Sequence, residues 1–131
     1  MLLFKQTNKI TAMAININDN IPFNDVTMEG ALNVKMKILI GLPDGSDNII
    51  MRYFSVASNG HSLWHQHDYE HVVKIEKNKG IFVDKLGNEH LVEEGTSLYV
   101  EPNTLHQFKN PFDAPFDFLC IIPNPEKNKC C

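Results

Sequence analysis

Turn-forming residues divide the chain, from Val34 onward, into apolar segments too short for helices and of the right length for strands. Residues 35–42 are rich in Ile and Leu and stop at Gly41-Leu42-Pro43-Asp44-Gly45. Residues 49–57 alternate, with Ile50, Phe54 and Val56 on one side and Met51, Tyr53 and Ser55 on the other, until Ser58-Asn59-Gly60. Further segments cover 70–77, 81–85, 89–93, 97–101, 104–109 and 116–122. Between them stand Asn78-Lys79-Gly80, Leu86-Gly87-Asn88, Glu94-Gly95 and the loop 110–115. Short period-2 segments at such spacing, without sustained helical periodicity, predict an all-β fold, a small antiparallel β-barrel. Closing the sheet on itself also removes exposed edges.

A chain of 131 residues, 43% of them hydrophobic, suffices for one domain with one core. Residues 1–25 are Asn-rich and weakly patterned and read as a loosely ordered arm, 26–125 as the single barrel domain and 126–131 as a tail. Met13 offers an alternative start, which would make residues 1–12 dispensable. With 12 basic against 16 acidic residues the net charge is −4, which excludes the basic footprint of a nucleic-acid binder. The longest apolar run, 36–42, is interrupted by Lys37 and is far short of a membrane span. Residues 10–15 are too short for the apolar region of a secretory signal, so a cytoplasmic protein is expected. Cys120 lies in an apolar run and Cys130 and Cys131 are adjacent near the end, a pattern of free thiols rather than of a disulfide framework.

Six histidines carry the chemistry. His65, His67 and His71 share one parity, and Val73 and Ile75 continue it, so extended backbone turns all of them toward the barrel interior. His106 comes from a separate strand, with Phe108 beside it by parity. A lone buried histidine is ordinarily a hydrogen-bonded core residue. Four neutral imidazoles in an apolar interior would leave many ring nitrogens unsatisfied, and a divalent metal takes one nitrogen from each. His61 follows a glycine in a loop and His90 sits on a charged hairpin between Glu89 and Glu93; both read as solvated surface residues.

The segment Gly60-His61-Ser62-Leu63-Trp64-His65-Gln66-His67-Asp68-Tyr69-Glu70-His71, ending near Asn78, resembles the first motif of the cupin superfamily. Gly95, residues 96–100, then Glu101-Pro102-Asn103-Thr104-Leu105-His106-Gln107-Phe108-Lys109-Asn110 resembles the second. One residue is missing between Gly60 and His65; Glu101 replaces the motif's proline, and Asn78 and Asn103 replace glycines. Asn tolerates positive φ better than most residues, so both of those changes are mild. His71 stands where most cupins place a carboxylate, and the adjacent Glu70 has the opposite parity. That variant is similar to small manganese-binding cupins with a four-histidine site, and the resemblance spans residues 13–125. It implies a double-stranded β-helix (jelly-roll) fold, metal ligands at His65, His67, His71 and His106, and a homodimer formed through sheet and arm exchange.

Four neutral ligands leave the ion its full charge, and on an octahedral ion they leave two positions open for a small-molecule substrate. The resemblance points to Mn first and Fe next, with Cu, Zn and Ni also suited to imidazole. Phe54, Phe108, Phe118 and Cys120 are candidates to line the cavity; ordinary core packing is the competing reading of each. No nucleophile elbow, phosphate loop or paired catalytic carboxylates are present in the sequence. The expected function is a metal-dependent, dioxygenase-type oxidoreductase. The alternative is a non-catalytic binding or sensing module, and a metal-free sugar-isomerase-like cupin fits the intact histidine quartet poorly.

Overall fold

The computed structural model describes residues 9–10 and 12–126, so Cys130 and Cys131 lie outside the described residues. A short ribbon, β1 (Lys9–Ile10) with β2 (Met13–Ala14), precedes one antiparallel sheet. Its strands are β3 (Asn24–Asp25), β4 (Leu32–Ile40), β5 (Ile49–His61), β6 (His71–Lys77), β7 (Lys79–Val83), β8 (Glu89–Glu93), β9 (Ser97–Val100), β10 (Gln107–Lys109) and β11 (Phe116–Pro123). The hydrogen-bonded order is β8-β7-β10-β5-β11-β6-β9, with β4 also on β5 and β3 on β4. The fold is all-β, a curled antiparallel half-barrel whose long-range pairing joins β5 to β11 and β11 to β6 at its middle.

Alternation assigns each side of this sheet a separate task. On β5, Ile50, Phe54 and Val56 face inward with Val73, Ile75, Phe116, Phe118 and Cys120. Val56, Val73, Ile75 and Phe116 are fully buried there. Met51 and Tyr53 face the other way and join Ile21, Leu39 and Leu119 in a second cluster. The outer side is thus covered rather than solvated, and the cover is part of the segment read as a loose arm. Asn16 Nδ2 donates to the Leu39 carbonyl and to Asp44, and the Lys37 ammonium donates to the carbonyls of Asn18 and Ile21 at 2.8 and 3.2 Å. That ammonium also lies 4.4 Å from the centre of the Phe23 ring. The lysine that interrupts an apolar run in sequence is therefore the anchor of the arm.

Several element ends differ from the sequence pattern. β5 continues through Ser58-Asn59-Gly60 to His61, and the pairing with β4 shifts register there. Asn59 takes a φ of 66°, and a Cβ on Gly60 would stand 2.6 Å from the Leu32 carbonyl oxygen. The turn signal marks a bulge, where only glycine permits such backbone approach. His61, expected in a loop, consequently ends this strand, half-buried, with Nδ1 near the Ser62 carbonyl. Asn78 and Asn103 adopt φ of 62° and 59°, the left-handed conformation expected at those motif positions.

Candidate metal centre

Two backbone contacts bring the motifs together. His65 and His106 form an isolated antiparallel bridge, with N–H to carbonyl distances of 3.2 and 3.0 Å. The Asn103 N–H, presented by its left-handed turn, donates to the carbonyl of His67. His71 opens β6 opposite Val100 of β9. His65 and His67 precede that strand and are oriented by these bridges, not by a continuous ladder.

The four imidazoles are neighbours. Ring centres are 4.3 Å apart for His65 and His67, 5.0 Å for His67 and His71, and 5.2 Å for both His65–His106 and His71–His106. His67 and His106 are 6.2 Å apart. A ligating nitrogen about 2.1 Å from an ion places its ring centre roughly 3.2 Å away, so rings about one ion stand from about 4.5 Å apart at right angles to about 6.4 Å when opposed. The observed spacings fall close to that range. As they stand, no three or more His, Cys, Asp or Glu side chains among the described residues form an ion-holding group.

The donor chemistry fits a cation. Burial holds His71 down to about 3 and His67 to about 4, and burial also lowers His65 and His106. Mutual repulsion and the charge of Arg52 push the first three in the same direction. All four rings are therefore neutral near pH 7 and have lone pairs to give. His106 Nδ1 lies 2.8 Å from the Thr104 carbonyl, which can only accept, so Nδ1 carries the proton and Nε2 is left as the donor atom. His71 Nδ1 is buried without a partner.

Residues 52–122, more than half of the chain, match the family model described as Cupin domain. The chain belongs to the cupin family. Over 80 residues this cupin is 34% identical to the 1-methylthio-D-xylulose 5-phosphate methylsulfurylase of Rhodospirillum rubrum, a match covering 60% of the chain and 49% of that protein. It thus spans about half the length of that relative. In structure it superposes on the polyketide cyclase RemF from Streptomyces resistomycificus with a TM-score of 0.82 and 24% identity, over 86% of this chain and 80% of that one. A predicted oxalate decarboxylase from Thermotoga maritima superposes with a TM-score of 0.74 and 17% identity, over 83% and 97% of the two chains. At these identities the structural matches speak for the fold alone.

The cupin interior backs the histidines with aromatic rings. Phe108 stacks on Phe118 at 4.3 Å, Phe118 stacks on Phe54 at 5.3 Å, and Phe108 stands edge-on to His106 at 6.1 Å. Cys120 is buried on the same face, and burial pushes its thiol up. His90 is exposed, as expected, and bonded to Asp84 at 2.8 Å. Glu70 points away and accepts from the Tyr99 hydroxyl.

Three neighbours of the site were not singled out from sequence. Tyr69 stacks on His67 at 4.8 Å and Phe82 on His106 at 6.2 Å. Arg52 bonds Cys120 Sγ through Nη2 at 3.0 Å. Arg52 shares the parity of Ile50 and Phe54 within β5, so its signal was present in the alternation, whereas Tyr69 lies in a bend before β6 where alternation does not orient it. A cavity of about 260 Å³ is lined by Phe82, Tyr99, Val100 and Thr104 among others, and by none of the histidines. A larger one of about 630 Å³ sits by Asn78 and Lys79, just past the far end of β6 from His71, and holds none of the histidines.

Proposed function

We propose that this cupin is a metal-dependent oxidoreductase of dioxygenase type, acting on a small organic molecule held beside His65, His67, His71 and His106. The observation that carries the reading is the convergence of four neutral imidazoles from two motifs on one inward face. Bound there, a divalent ion, Mn before Fe, would supply a redox centre and a Lewis acidity undiminished by any carboxylate ligand. The protein's own part is to keep the rings deprotonated by burial, to fix the His106 tautomer through Thr104, and to exclude water with the Phe54, Phe118 and Phe108 stack. The relatives named above bear on different reactions, a methylsulfurylase and a cyclase among them, so the fold does not select the reaction.

Elemental analysis of protein purified without chelators, followed by oxygen-electrode assays over enols, diketones, phenols and alkenylbenzenes, tests this. About one Mn or Fe per chain with substrate-dependent oxygen uptake is the expected result. Absence of a stoichiometric transition metal overturns it. Metal without oxygen or peroxide consumption, but with metabolite-induced thermal shifts, would assign the chain to the non-catalytic binding class instead.

A further inference from the structure

The inward face of β5 carries one residue that neither the core nor the histidines account for. Arg52 alternates with Ile50, Phe54 and Val56, all packed in the inner cluster, so its side chain enters the same space. In register it lies opposite Cys120, which in turn lies opposite Val73, two residues from His71. Its guanidinium stands 5.0 Å from the centre of the Phe54 ring and donates to Cys120 Sγ, while Nε is buried without an acceptor. Among the described residues no carboxylate forms an ion pair with it. A thiol is a weak acceptor and an aromatic face only a partial one. A half-buried guanidinium of this kind lacks the counter-charge that normally offsets its desolvation.

We infer that Arg52 is the anion-binding residue of this site, and that the molecule taken up beside the histidines carries a carboxylate held by its guanidinium. This rests on the histidine quartet being the ligand-binding centre. A single carboxylate matches one guanidinium in charge and in fork geometry. A phosphate dianion held by side chains alone would call for a second cationic residue. Lys37, the buried lysine among the described residues, faces the opposite side of the sheet, bonded to Asn18 and Ile21.

Pyruvate and its neutral analogue pyruvamide are suitable probes, titrated calorimetrically into chelator-stripped and Mn-loaded full-length protein. The wild type should prefer pyruvate, and Arg52→Gln should weaken pyruvate binding by about tenfold to a hundredfold in both forms, with pyruvamide unchanged. Arg52→Lys should retain part of the preference, and Cys120→Ser, which spares the guanidinium, most of it. Equal pyruvate affinity in Arg52→Gln and wild type, or a wild type that does not distinguish the probes, overturns the inference. So does inorganic phosphate that displaces pyruvate at lower concentration than acetate does. Should Arg52→Gln not fold, the Lys variant and the two-probe comparison in wild type decide. Arg52-dependent binding in protein that takes up no stoichiometric metal would sustain this inference while removing the metal-centred reading; stoichiometric metal with no Arg52 dependence would do the reverse.

Discussion

Replacing Gly80 by alanine tests how tightly the core behind the site is built. Gly80 lies on β7, buried, and an added Cβ would stand 2.1 Å from Cδ2, 2.2 Å from Cε2 and 2.5 Å from Cγ of Phe116. Unstrained carbon contacts lie at about 3.5–4.0 Å, so the ring must retreat by roughly 1.5 Å. Phe116 is fully buried, with the Phe118 ring 5.3 Å and the Phe108 ring 6.4 Å away. A close-packed interior offers no void for that movement. Overpacking typically costs about 1–3 kcal/mol, and an overlap with the rigid body of a ring belongs at the top of that range, about 3 kcal/mol. Urea denaturation of Gly80→Ala, Phe116→Ala and the double variant isolates the contact. Removing every ring atom, Cγ included, should relieve the clash, so Gly80→Ala should cost less than about 1 kcal/mol in the Phe116→Ala background, an interaction of about 2 kcal/mol. A Gly80→Ala cost below about 1 kcal/mol in wild type, or an equal cost in both backgrounds, would refute the steric argument.

Acidification of metal-stripped protein should destabilise it between pH 6.5 and pH 5. The folded state keeps His71 neutral down to about pH 3, whereas the unfolded chain binds a proton below about 6.5, so His71 alone removes about 2 kcal/mol by pH 5. Denaturant midpoints that stay flat over that window would contradict a buried neutral quartet. Asn110→Ala should cost about 3 kcal/mol, because this fully buried side chain donates to the carbonyls of Val56 and Ala114 and accepts from the Phe112 N–H. Thermal denaturation checks it. Lys37→Met should release the segment 16–23, seen as faster amide exchange there with protection at β5 and β11 retained, since it removes the donor to Asn18 and Ile21 but keeps the apolar stem. We also propose a homodimer, in which a partner would cover the exposed Met13, Ile15 and Ile17; light scattering after size exclusion would read two chains.

Local rules, read from the sequence alone, determined much of this protein. Alternation at 49–57 separated the inward Ile50, Phe54 and Val56 from the outward Met51 and Tyr53, because successive side chains on a strand must oppose one another. Asparagine at 78 and 103 marked the left-handed turns, because few other non-glycine residues tolerate positive φ. The common parity of His65, His67 and His71 predicts one side, but only His71 lies in a strand, and the backbone bonds to His106 and Asn103 orient the other two. Tertiary structure decided what depends on residues far apart in the chain. Ser58-Asn59-Gly60 reads locally as a terminus, yet pairing with β4 carries β5 through it as a bulge. The segment 16–25 has little pattern of its own, and it is ordered by Lys37, Leu39 and Tyr53, which belong to other strands. Arg52 is set opposite Cys120, among groups that offer it no counter-charge, only by the β5–β11–β6 register. Burial and pairing are properties of the assembled sheet, so the environment of a titratable or charged side chain emerges only when distant strands meet.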